Sequence, residues 1–259
     1  MNLEYINNGY FVLKNIFDKA ELAKIKDVLQ VFHSRWKVQN SDFYLEKAIN
    51  SAYITSAEFL TDEQRKTLFE LIGSTKVMDA VLSAIPNSPC FLNTQLFFDP
   101  VNPAQKNYWH RDPQYHLNLE EQEAALCGPE VVHLRIPLVN EPGIELVPGS
   151  HRRWDTREEL DIRLEQKGHK SWEQISTGQI VALNAGDLLV FSANMIHRGI
   201  YGMDRFALDI LFCDPDPNVI TFVNDNCLPE ENIRSSLQNP DVFMNTINLK
   251  KATHHPLKL

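Results

Sequence analysis

Arg205-Phe206-Ala207-Leu208-Asp209-Ile210-Leu211-Phe212 reads as a strand with two unlike faces. The even positions, Phe206, Leu208, Ile210 and Phe212, are all apolar, and the odd positions begin Arg205, Ala207 and Asp209. Successive side chains of a strand point to opposite sides, so Arg205 and Asp209 share one face. Val131–Val139 repeats the pattern, with Val132, Leu134, Ile136 and Leu138 on one side and His133 and Arg135 on the other. The greasy faces suit packing against helices. Two places fit the polar faces equally: an internal cavity, or bulk water.

Outward from these strands, Phe91–Phe98, Ile144–Val147, Gln179–Ala182 and Leu188–Phe191 alternate with Gly, Pro, Asn and Asp, and Asn184–Asp187 forms a tight turn. Short apolar segments with such punctuation signify an antiparallel barrel or sandwich. The first third reads mainly helical. Asp18 with Glu21 opens a helix over Lys19–Phe32 that aligns Leu22, Ile25, Leu29 and Phe32, and Thr61 with Gln64 opens another over Glu63–Ile72. Thr75–Ile85 is a third amphipathic segment, and Gln39–Asn50 reads as a loop or short helix. Arg152–Gly168 is charged without an apolar stripe, which predicts a solvated insertion or lid. From Asn224 onward the chain is polar, which predicts loop with one short helix and no specific role for His254 or His255. The expected organisation is one α+β domain over residues 1–259: helical 1–88, a β core 89–215 and a C-terminal tail 216–259.

Composition narrows the function. The chain has 259 residues, 43% hydrophobic and 23% charged, the make-up of a globular protein with a core. Its 34 acidic against 25 basic residues give a net charge of −9, which argues against a nucleic-acid backbone or an anionic membrane as partner. The N-terminus lacks a secretory pattern, no apolar run is long enough to span a bilayer, and Cys90, Cys127, Cys213 and Cys227 form no CxxC pair. A cytoplasmic protein with free thiols acting on a small molecule is the expectation.

Tyr108-Trp109-His110-Arg111-Asp112-Pro113 carries the chemistry. On a strand, His110 and Asp112 lie on one face, within reach of one cation, and Pro113 ends the pairing at the strand mouth. His197, in Met195-Ile196-His197, supplies a third ligand. Two imidazoles and one carboxylate leave adjacent positions open, the arrangement suited to iron(II) that must bind a cosubstrate and O2. Val147-Pro148-Gly149-Ser150-His151 is a strand-ending turn in which His151 is expected to make a structural hydrogen bond. His116 and His133 read as ordinary partly buried histidines or as contacts near the site. Trp109 is expected to pack, and Arg111 to point away from its neighbours.

The segments WHRD (109–112), LVPGSH (146–151), GDLLVFSANMIH (186–197) and RFALDILF (205–212), in that order, resemble the phytanoyl-CoA dioxygenase family of 2-oxoglutarate-dependent oxygenases. The similarity runs from Phe91 to Asp214, and NNGYFVLKNIF near the N-terminus also looks similar. The resemblance implies a double-stranded β-helix (a jelly-roll, cupin-like barrel) with N-terminal helices packed on one sheet, iron(II), and 2-oxoglutarate held through its far carboxylate by a basic residue after the second His. Arg205 is the best match for that residue, with Arg198 the alternative, because the spacing from His197 is short for the family. A planar guanidinium at strand depth favours Arg205. Asn93 and Gln95 share a strand face and would contact the cosubstrate in a cavity, or water on an open sheet. The Asp112 carboxylate, where halogenating relatives have a small residue, implies hydroxylation or a related oxidation. A cupin-type metal oxygenase independent of 2-oxoglutarate and a non-catalytic small-molecule-binding barrel are the other readings.

Overall fold

A computed structural model describes residues 2–254; His255 lies outside the described residues. In chain order the elements are α1 (Leu3–Asn8), β1 (Tyr10–Leu13), α2 (Lys19–Gln39), α3 (Ser41–Glu46), β2 (Asn50–Ala52), α4 (Asp62–Ile72), α5 (Thr75–Ala84) and β3 (Cys90–Phe98). There follow α6 (Leu119–Ala125), β4 (Val131–Pro137), β5 (Glu141–Leu146), α7 (Arg157–Arg163), β6 (Gln179–Leu183), β7 (Leu188–Ser192), β8 (His197–Gly199), β9 (Phe206–Cys213), α8 (Glu231–Arg234) and α9 (Asp241–His254). No helix among the described residues is long and apolar enough to cross a membrane.

The N-terminal helices start where the sequence signals them. Asp18 and Glu21 form a reciprocal capping box at α2, and Thr61 and Gln64 form one at α4. The second helix runs past Phe32 to Gln39 because Trp36 continues its buried stripe one turn further. Two strands, β1 and β2, fall inside the stretch read as helical.

All strand pairs are antiparallel. A large sheet has the order β1-β7-β4-β9-β3-β2, and a small sheet the order β6-β5-β8. Phe206, Leu208, Ile210 and Phe212, together with Val132, Leu134 and Ile136, turn outward into one apolar core with Leu29, Phe32, Phe69 and Val81 of the helices. Ile144, Leu146 and Leu183 of the small sheet meet Leu189 and Phe191 of the large one. The two sheets therefore face each other, the arrangement of a double-stranded β-helix. The polar faces of β4 and β9 line a cavity between them and do not open to bulk water.

Register stacks the inward side chains in rows. Gln95 lies opposite Asp209 and Asp209 opposite Arg135, while Asn93 lies opposite Leu211, Leu211 opposite His133, and His133 opposite Phe191. The register of β3 shifts between Phe91 and Asn93, so Leu92 is an extra residue that re-aims the strand end.

Two expectations need correction. Residues 152–168 are no solvated insertion: α7 buries Glu159, Asp161, Ile162 and Arg163. Its buried charges are ion-paired, Glu159 with the partly exposed Arg153 and Arg163 with Asp155, whose side chain is fully buried, so beside Ile162 it needs no apolar stripe. The tail ends in a 14-residue helix, α9, longer than expected. Phe243 sits 5.3 Å from Phe91 and 5.2 Å from Phe69, and Thr246 donates to the Phe91 carbonyl. Packing against β3 stabilises a helix whose own periodicity is weak.

Candidate metal centre

The backbones of His110 and His197 clasp each other. His110 N–H donates to the His197 carbonyl at 3.0 Å, and His197 N–H returns the bond at 2.9 Å. Asp112 does not continue a strand as expected; it opens a 3-10 turn, Asp112–Tyr115, with Pro113 next in line. Its N–H donates to Ala193 O at 3.1 Å, which brings the turn to the segment leading into His197. One nitrogen from each imidazole and one Asp112 oxygen lie within 4.8 Å of one another. Asp112 Oδ1 is 3.5 Å from His110 Nε2 and 3.7 Å from His197 Nε2.

Each imidazole is oriented from behind. His110 Nδ1 lies 3.1 Å from Tyr108 O, and His197 Nδ1 lies 3.0 Å from Met195 O. A carbonyl only accepts, so Nδ1 carries the proton and Nε2 offers its lone pair to the cluster. Burial lowers the pKa of both rings, and with the neighbouring His110 it takes His197 to about 3. Burial works against a charged Asp112, but the His133 ring beside it prevails and holds the carboxyl well below the usual carboxylate range. At neutral pH the cluster is two neutral imidazoles and one carboxylate, a donor set suited to a divalent transition metal.

His133 is the residue the sequence left among ordinary histidines. Its Nε2 lies 2.6 Å from Asp112 Oδ2 and its Nδ1 3.4 Å from Asp209 Oδ2, and the ring stacks on Phe191 at 4.7 Å. Burial disfavours its charge, but the Asp112 carboxylate outweighs this and raises it to about 9. Asp209 Oδ1 accepts from Arg135 at 2.8 Å, and Arg135 also grips Glu141 at 2.7 and 3.0 Å. The signal was present in the alternation that put His133, Arg135 and Asp209 on inward faces.

Arg205 is 2% exposed. Its Nη2 donates to Phe98 O at 2.8 Å, its guanidinium lies 5.0 Å from the Tyr201 ring, and its Nε makes no hydrogen bond, with Asp99 Oδ1 3.9 Å away. A Cβ on Gly199 would come within 2.5 Å of Arg205 Nη1, so the glycine leaves that face of the guanidinium open. Arg198, the alternative, does not line the cavity. It is buried, paired with Glu145, bonded to Trp172 O and Gln174, and stacked 4.4 Å over Trp109. Arg205, Asn93 and Gln95 all line a cavity of about 710 Å³ that also contains His110, Asp112 and His197. Asn93 Oδ1 accepts from Thr94 N–H at 2.8 Å.

Around the cluster, Arg111 is a buried tie. It donates to Asp155 at 2.9 Å, to Ser150 O at 2.7 Å, to Arg153 O at 3.0 Å and to Asn194 O. Ser150 Oγ accepts from Ile196 N–H at 2.9 Å. The PGS turn and the approach to His197 are thus bound to the residue between the two early ligands. Trp109 packs as expected, fully buried with its indole N–H on Glu173 O. His151 does not make the expected hydrogen bond: both its ring nitrogens are buried without partners, against Gly9 and 6.0 Å from the Tyr5 ring.

The family profile described as Phytanoyl-CoA dioxygenase (PhyH) matches residues 5–200. No curated protein matches the chain significantly. Among solved structures, AviO1 from Streptomyces viridochromogenes Tue57 is 18% identical, with a TM-score of 0.58 over 82% of this chain and 92% of that one. EctD from S. alaskensis, solved with 2-oxoglutarate and 5-hydroxyectoine, is 14% identical, with a TM-score of 0.58 over 81% and 73%. SnoK, a non-heme alpha ketoglutarate dependent carbocyclase from nogalamycin biosynthesis, is 13% identical, with a TM-score of 0.55 over 82% and 83%. At these identities the similarity is one of fold.

Proposed function

The chain belongs to the phytanoyl-CoA dioxygenase family, and from that premise we propose that it hydroxylates a small molecule. Membership makes it an oxygenase dependent on iron(II) and 2-oxoglutarate; hydroxylation is the finer reading. The observation that carries it is the convergence of His110, Asp112 and His197, with both Nδ1 atoms held by carbonyls and both Nε2 atoms toward Asp112 Oδ1.

In this reading His110, Asp112 and His197 would hold the iron. Bound iron supplies O2 activation coupled to conversion of 2-oxoglutarate to succinate and CO2, chemistry outside the reach of side chains. Arg205 would grip the far carboxylate of 2-oxoglutarate: its buried Nε makes no hydrogen bond, Asp99 standing off at 3.9 Å, and Gly199 leaves room beside Nη1. Asn93 and Gln95 would border the bound cosubstrate and substrate. Phe191 and Leu211 line the cavity that holds the cluster and would give it an apolar wall. The presence of Asp112 supports hydroxylation, since a full carboxylate occupies the third ligand position. A reducing cytoplasm suits the reading, because Cys90 and Cys213 face each other across β3 and β9 as free thiols.

Anaerobic titration of the apo-protein with iron(II) and 2-oxoglutarate tests it. A weak visible charge-transfer band that is lost in Arg205→Ala is the expected result. Iron binding without a band would remove 2-oxoglutarate as cosubstrate. Isotope-labelled O2 then tests hydroxylation, which requires one labelled oxygen atom in the product.

A further inference from the structure

We infer that the cavity beyond the metal-ligand cluster receives an uncharged, ring-bearing, largely apolar substrate and not a coenzyme A thioester or another anion. This rests on the oxygenase reading above and names the substrate class for that site.

The rows of inward side chains divide the cavity by charge. Arg135 and Asp209 share one row, and Arg135 is compensated twice, by Asp209 and Glu141. Arg205, with Asp99 no closer than 3.9 Å, is the guanidinium of the cavity that makes no hydrogen bond to a carboxylate, and 2-oxoglutarate takes it. The next row places Leu211 and Phe191 on either side of His133. Past it the lining is Val131, Ala193, Ala125 and Pro129, joined by Asn194, whose amide is spent on Ala125 O, with Asp216 and Asn218 at the rim. Polarity therefore falls along the strand axis, from the guanidinium end across the ligands to an apolar end.

At the opening, three of the protein's exposed large side chains gather on this one cavity. Tyr53, Tyr115 and Phe222 are 43%, 52% and 55% exposed, and all line it. Phe222 lies 5.0 Å from the His116 ring, and the Tyr115 hydroxyl is 2.9 Å from that of Tyr108. Aromatic faces left in water at a pocket mouth gain most from a flat or polycyclic ligand that covers them. No lysine lines the cavity among the described residues; Lys106 lies in an adjoining open groove that shares Asn107 and Tyr108 with it. The acid at the rim, Asp216, already accepts from Asn218 and Val219 N–H. A phosphate or carboxylate would lose its hydration there without a counter-charge, which costs more than burying a neutral ring. The amides of Asn50, Asn93 and Asn107 suit hydroxyl or carbonyl groups on a neutral molecule.

Three matched probes test this: 2-naphthylmethanol, 2-naphthoate and 2-naphthoyl-coenzyme A. Each is dialysed anaerobically against the full chain loaded with iron(II) and 2-oxoglutarate, with the charge-transfer band confirming the loaded state. The alcohol should bind at least about tenfold tighter than either anion. Tyr53→Ala and Phe222→Ala should each weaken the alcohol severalfold while the band persists. Equal or tighter binding of either anion, no measurable binding of the alcohol, or unchanged affinity in both variants overturns the inference. Absence of the band in the parent protein instead overturns the cofactor reading, so the two failures are distinct.

Discussion

His133 holds one oxygen of Asp112 and leaves the other to the cluster: Nε2 is 2.6 Å from Oδ2, while Oδ1 faces His110 and His197 at 3.5 and 3.7 Å. A carboxylate fixed in this way presents a single oxygen to a cation. His133→Phe keeps the stack on Phe191 and removes the hydrogen bond. It should weaken iron(II) or cobalt(II) binding by about 10–100-fold, as loss of a ligand-orienting partner usually does. Anaerobic metal titration measures this, and His133→Gln should recover part of the loss. Unchanged affinity in the Phe variant would dismiss the orienting role.

Removing a ligand should act more completely. His110→Ala, Asp112→Ala and His197→Ala should each abolish iron retention, and with it succinate formation with or without substrate. Sustained succinate formation in any of the histidine variants would falsify the ligand assignment.

Arg205 and Gly199 should answer to the same assay. Arg205→Ala should raise the 2-oxoglutarate KM by more than about tenfold with iron affinity unchanged, since a charge-assisted bidentate grip is lost. Arg205→Lys should fall between, because an ammonium lacks the fork. Gly199→Ala places a Cβ 2.5 Å from Arg205 Nη1 and should raise KM in the same direction. Arg198→Ala should lower the melting temperature and leave KM nearly unchanged, as Arg198 is committed to Glu145 and Trp109.

Arg111→Ala should be costly to stability. Asp155, with its side chain fully buried, would keep only Arg163, and three carbonyls would lose a donor. Breaking a buried pair from one side costs about 3–5 kcal/mol. Chemical denaturation should show a loss of that order, whereas a surface-sized effect would mean the network reorganises.

Acid should weaken the fold before the carboxylates titrate. Burial, with Lys37 beside one ring and Arg152 beside the other, lowers His33 and His151 from the ordinary 6.5 to about 4. Both rings stay neutral in the folded chain, whereas the unfolded chain takes up protons from about pH 6.5 downward. The stability they confer is complete above pH 6.5 and declines as pH falls towards 4. His151→Phe should flatten that slope in denaturation curves taken across the interval, and an unaltered slope would exclude His151 as a contributor.

What could be read without coordinates was whatever repeats at short range. The period-two alternation of 205–212 and 131–139 gave two-faced strands, and Asp18 with Glu21 and Thr61 with Gln64 marked helix starts to within a residue. His110, Asp112 and His197 were nominated by type and order, and the fold brings them together, although Asp112 arrives on a 3-10 turn. Three further features depend on distant partners. His133 takes its importance from Asp112, Arg111 from Asp155 and Asn194, and α9 from Phe91 and Phe69. The alternation aimed His133 inward but could not pair it with Asp112, the pairings of Arg111 and α9 leave no periodic trace, and α7 lacks an apolar stripe because Ile162 is buried there among charged side chains.

The reciprocal backbone bonds between His110 and His197 also bear on how the centre is made. They close a loop containing four of the nine strands, β4 to β7, and closing so long a loop is entropically unfavourable until the strands within it have paired. The two imidazoles then arrive together or not at all, as the ends of one latch. A nascent chain released before β8 would carry the WHRD segment but no socket for a cation. The socket is in that sense a late product of folding: it is complete only once the end of β7 and the start of β8 lie against the WHRD segment through Ala193 and His197.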